Sequence, residues 1–154
     1  MAEISYFERV KFQSEILLPL FKILCSEFGK DKATELLRRA VREFATNLGK
    51  KISEREEDGS IEKLKSFFPA FTADEALKLE PVRNTAEELS VNVTRCKYAE
   101  YFASIGESEF GAMITCEIDP PMTEAIGPDL KLVRSKTIAS GGDHCDFRWI
   151  SEKR

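Results

Sequence analysis

The chain has 154 residues, 42% hydrophobic and 32% charged, with a formal net charge of −4. That length buries a core without disulfides, and the composition is that of a soluble globular chain. The 23 basic residues are scattered among 27 acids, which excludes the basic face that nucleic acid requires. The opening MAEISYFERVKFQSEILLPLF has no apolar run long enough for a signal peptide or a membrane span. A single cytoplasmic domain over 1–154 is expected, with no nucleic-acid or membrane partner. Homo-oligomerisation stays open.

Residues Ile16, Leu17, Leu20, Phe21, Leu24 and Phe28 recur at helical spacing, and Gly29 ends the run. Pro19 conflicts with that helix, so either it starts near Ser14 or it kinks. Asp31 reads as the N-cap of a second helix, with Leu36, Leu37, Ala40, Val41, Phe44 and Leu48 as its stripe and Gly49 as its stop. KKISEREEDGS (50–60) reads as a solvated connection. IEKLKSFFP reads as a short helix closed by Pro69, and TADE (72–75) as a capping box opening another helix to about Leu79.

The period then changes. Leu89, Val91 and Val93 alternate with Ser90, Asn92 and Thr94, which predicts a half-buried strand. CKYAEYFASIG returns to helical spacing and closes at Gly106. ESEFGAMITCEID predicts a further helix that Pro120 and Pro121 end or break. DLKLVRSKTIA and HCDFRWI read as two strands around the Gly-Gly turn SGGD. The fold class is therefore α+β: N-terminal helices on a small antiparallel sheet, with two further helices and a C-terminal hairpin. The helical part runs to residue 82, and 83–154 carries the candidate site.

Four cysteines are present and no CxxC pair, so the strong sequence signal for structural zinc is missing. On an extended 144–150, Cys145, Phe147 and Trp149 share the covered face, and His144, Asp146 and Arg148 share the other. Cys96 follows Arg95 at a strand–helix junction. A helix N-terminus and a nearby cation both favour a thiolate, which predicts a lowered pKa; the alternative is a small buried residue. Cys116 and Asp119 are three apart and share a face. Cys25 reads as core.

Three stretches carry a resemblance: RCKYAEYFASIGESEFGAMITCEID (95–119), LKLVRSKTIASGG (130–142) and DHCDFRW (143–149). Together they resemble the L-2-amino-thiazoline-4-carboxylic acid hydrolase family. The C-terminal part is more weakly similar to four-vinyl-reductase-type ligand-binding domains. The first resemblance implies hydrolysis of a C–N or C–S bond in a cyclic, amidine-like ring, giving N-carbamoyl-cysteine. The family's marked positions fall on Cys96, Cys116, Asp119, His144, Cys145 and Asp146. DPPM after Asp119 departs from the family's helical continuation.

Three readings follow. In a hydrolase, Cys96 is the nucleophile or the ligand of an activating metal, and Asp119 the general base. Cys116 and Cys145 then line the pocket, Arg95 or Arg134 holds a substrate carboxylate, and His144 and Asp146 bind or orient substrate. In a binding module, Cys96, Cys116 and Cys145 converge on zinc, the one candidate cofactor, with Asp119 or His144 as fourth ligand. In the third, the cysteines are core residues of an interaction domain.

Overall fold

The computed structural model describes residues 3–56 and 58–152. Three helices come first: α1 (Tyr6–Phe28), α2 (Lys30–Ser53) and α3 (Ser60–Thr72). Strands β1 (Leu77–Asn84) and β2 (Glu88–Cys96) follow, then α4 (Lys97–Ser104), α5 (Ser108–Thr115) and α6 (Asp119–Ile126). Strands β3 (Leu130–Val133) and β4 (Cys145–Ser151) complete an antiparallel sheet in the order β1-β2-β4-β3. The α+β class holds, with the N-terminal helices and the C-terminal strand pair in place. No helix among the described residues is long and apolar enough to cross a membrane.

Helix α1 starts before Ser14. Ser5 caps it by accepting from the Glu8 amide at 3.2 Å. Pro19 lies inside the helix on its exposed side, where the carbonyl it leaves unbonded is open to water. This longer helix buries Val10 and Ser14 and packs Leu17, Leu18 and Phe21 on the core. Ile16, Leu20 and Phe28, expected inside, are exposed, and Cys25 is only half-buried.

Gly29, at φ 83°, joins α1 to α2 and stands at the N-cap expected at Asp31, which lies inside the first turn. Left-handed φ is inexpensive for glycine alone. Gly49 does not stop α2, which continues to Ser53, so the connection begins later than residue 50; Glu57 within it lies outside the described residues. A Cβ at Gly49 would stand 2.4 Å from the Met122 carbonyl oxygen and 2.7 Å from the Ala125 Cβ. Ala45 and Gly49 thus let α2 press against α6 backbone to backbone.

Pro69 lies inside α3, again exposed. TADE opens no helix. Asp74 and Glu75 take φ of 57° and 54°, and this reversal launches β1, a strand placed across the expected 82/83 division. Pro120 and Pro121 begin α6 rather than ending α5, because first-turn residues have no amide bond to lose. Between the two helices the chain tightens into a 3-10 turn, Cys116–Ile118. SGGD is part of a wide 134–144 connection rather than a tight hairpin turn.

The sheet turns Leu89, Val91, Phe147 and Trp149 toward the helices. Trp149 stacks on Phe147 at 4.8 Å, meets the Phe68 ring of α3 at 5.6 Å, and donates from Nε1 to Thr123 Oγ1 of α6 at 3.0 Å. One buried cluster runs from Val10 to Trp149. Gly49→Ala is expected to lower stability by about 1–3 kcal/mol through overpacking against the Met122 carbonyl. A urea midpoint unchanged from the parent protein contradicts that packing.

Candidate functional site

Between α3, the inner sheet face and the α5–α6 junction lies a cavity of about 100 Å³. Its walls are overwhelmingly apolar: Leu64, Phe68, Phe71, Val91, Phe147 and Met122 all contribute. Tyr6 comes in from the first turn of α1 and Tyr98 from α4. Cys96, Cys116, Asp119 and Cys145 also line it. Four of the residues expected at a site, from three separated stretches, therefore reach one cavity.

The folding logic is local in each case. Cys96 ends β2 and N-caps α4, its Sγ accepting from the Ala99 amide at 3.4 Å. Cys145 opens β4 opposite Val93 and accepts from the Ile138 amide at 3.2 Å. Cys116 sits in the 3-10 turn, where the Thr115 hydroxyl donates to its Sγ at 3.7 Å. Asp119 is the first residue of α6. The helix break that Pro120 and Pro121 start is thus what turns Cys116 and Asp119 inward together.

Arg134 reaches back from the end of β3. Its Nη1 donates to Asp119 Oδ2 at 2.6 Å and its Nη2 to the Cys116 carbonyl at 3.1 Å. The guanidinium carbon lies 5.0 Å from the Phe147 ring centre, a cation–π contact. Arg134 and Asp119 keep only 14% and 18% of their side-chain surface. Burial pushes the Asp119 carboxyl up to about 6, against the pull of Arg134.

The expected thiolate at Cys96 is corrected by its surroundings. Burial raises its pKa to about 11, outweighing the Ala99 amide bond. Arg95 supplies no field there. It points to the opposite side of β2, is exposed, and pairs with Glu100 at 2.8 Å. Arg95 does not line the cavity. Burial likewise lifts Cys116 to about 12, helped by the Asp119 charge, and raises Cys145.

His144 and Asp146 stand outside the cavity. The His144 ring bonds Asp143 at 2.9 Å. Asp146 accepts from the Ser135 and Lys136 amides at 2.9 and 2.8 Å and from the Ser135 hydroxyl. Burial would raise its pKa, but those donors hold it down at about 2. It fixes the loop that delivers Arg134. Among the described residues no group of three or more His, Cys, Asp or Glu side chains is placed to hold a metal ion.

Comparison with known proteins bears on the family and the fold. The model of the L-2-amino-thiazoline-4-carboxylic acid hydrolases matches residues 9–149. The chain belongs to that family. Among solved structures it is similar to the phenol-responsive sensory domain of the transcription activator PoxR with phenol, at 13% identity and a TM-score of 0.54. The match covers 88% of this chain and 72% of that one, and at that identity it speaks for the fold alone. None of the curated proteins matches the sequence. The family match spans α1 beyond its first turn, α2 and α3, which the sequence tied to the family only in general character.

The cavity residues missed by sequence are mainly Tyr6 and Tyr98. Burial raises the pKa of both hydroxyls, that of Tyr6 to about 12. The capping residue Ser5 was the available signal for Tyr6. An ordinary thiol with a pKa of about 8.5 is about one quarter thiolate at pH 8, so Cys96 should alkylate with iodoacetamide roughly 200-fold more slowly. Mass mapping of the modified protein checks this, and labelling of Cys96 at the rate of a free thiol would contradict it.

Proposed function

We propose that this protein is a hydrolase that opens a small, amidine-like ring held in the cavity, with Asp119 as general base. The observation that carries the reading is the inward-turned carboxyl of Asp119, poised near pH 6 on an otherwise apolar wall. A base works best when its pKa lies near the working pH. The protonated thiols beside it line the ring rather than attack it.

For a 2-amino-thiazoline ring the chemistry balances as follows. Water adds through oxygen to the carbon between ring sulfur and nitrogen, and Asp119 takes one water proton and returns it to the ring nitrogen. The C–S bond then breaks, the carbonyl forms, and the second water proton ends on the departing sulfur. The product is a carbamoyl-amine bearing a free thiol; from the 4-carboxylate it is N-carbamoyl-cysteine. Apolar cavities on the order of 150 Å³ take up benzene, so a cavity of about 100 Å³ suits a single small ring.

A second reading, binding without turnover, is favoured by the near-complete apolarity of the walls. Incubation with 2-amino-thiazoline and with its 4-carboxylate, followed by mass spectrometry of the carbamoyl thiol, separates the two. Product from at least one of the two rings is expected. Asp119→Asn should lower kcat roughly 100-fold or more, and Cys96→Ser less than about tenfold. Since the base must be ionised, kcat should fall as pH drops below about 6. Saturable binding with no product supports the second reading instead.

A further inference from the structure

We infer that the ring this cavity accepts carries no carboxylate: its substrate is a single small ring, neutral or cationic, whose N–H edge meets Asp119. The inference rests on the cavity being the binding site and goes beyond the hydrolase reading, because it narrows the substrate away from the amino-acid-derived ring after which the family is named.

Among the described residues no cation lines the cavity, and Asp119 is the one charged side chain in its walls. Arg134 does not line the cavity: it stands behind the wall, with one N–H on Asp119 Oδ2, another on the Cys116 carbonyl and its face on the Phe147 ring. Arg95 is on the outer side of its strand and paired with Glu100. His144 lies outside and is bonded to Asp143. An entering carboxylate would lose its water and meet a like charge.

Neutral donors do not replace the missing cation. The Tyr98 hydroxyl donates to the Phe71 carbonyl at 3.3 Å, and the Thr115 hydroxyl to the Gly111 carbonyl at 2.7 Å. The Thr72 hydroxyl donates to the Phe68 carbonyl at 3.1 Å. Only the Tyr6 hydroxyl has no hydrogen-bond partner among the described residues that line the cavity with a hydroxyl. One phenol cannot offset a desolvated carboxylate beside another.

An N–H edge is met differently. Asp119 Oδ2 accepts from Arg134, while Oδ1 accepts nothing among the described residues. That oxygen is an open acceptor at the end of an apolar slot. A protonated amidine edge presents adjacent N–H donors to a carboxylate as an arginine does, and the neutral form presents its exocyclic N–H; the rest of the ring then lies against Phe147 and Val91.

The test is calorimetric titration of the purified protein at pH 7.5 with 2-amino-thiazoline and, separately, with 2-amino-thiazoline-4-carboxylate. The unsubstituted ring should bind at least about 100-fold more tightly. Asp119→Asn should shrink that preference to under about tenfold by removing the like charge. Because that variant leaves the Arg134 charge without its carboxylate, the parent protein is also titrated at pH 5. There Asp119 takes a proton, and the preference should contract in the same direction. Equal or tighter binding of the 4-carboxylate overturns the inference while leaving hydrolysis a separate question, read from product. Failure of both rings to bind overturns the cavity as the site and the inference with it.

Discussion

The Asp119–Arg134 contact joins the start of α6 to the chain that leaves β3, fifteen residues later. The guanidinium also holds the Cys116 carbonyl and lies against Phe147, so the 3-10 turn, the last strand and the start of α6 share one anchor. A pair so poorly exposed contributes little net stability, because desolvation offsets most of the attraction. Its value is geometric: it sets the carboxyl at the cavity wall and keeps the compensating charge behind it.

The same burial that lifts the carboxyl into a useful range disables the thiols. A cysteine at a helix start gains from the helix dipole, but that gain is a fraction of what burial costs an anion. The backbone amides of Ala99 and Tyr98 pull the Cys96 pKa down, too little to reverse the effect. Desolvation therefore acts on both chemistries in one direction, toward the neutral form. For a carboxyl that shift arrives near neutral pH, and for a thiol it moves away from it.

The α+β class was legible, because alternation at 89–93, the 113–119 spacing and the C-terminal aromatics are local signals; that Cys96, Cys116, Asp119 and Cys145 line one cavity was not, because it depends on long-range packing. Nor was strand β1. Its start depends on two successive non-glycine residues, Asp74 and Glu75, in left-handed backbone, which nothing in their side chains announces, while TADE imitates a helix cap. The proline positions misled for a related reason. Proline is barred from helix interiors by its lost amide bond, yet Pro19 and Pro69 sit on exposed sides where the loss is mild. The outward direction of Arg95 follows from strand alternation and was legible; what the sequence did not show was that burial would outweigh the helix start at Cys96.

The cavity walls are drawn from nearly the whole length of the chain, from Tyr6 in the first turn of α1 to Trp149 in β4. No local segment forms a partial version of them, so a molecule that fits has affinity only for the native chain. Occupancy then adds directly to folding free energy, by about 2.7 kcal/mol at a hundred times the dissociation constant. For a domain whose net stability is of order 5–15 kcal/mol, a molecule that fills the cavity becomes a component of the core, and its supply sets how long the chain stays folded.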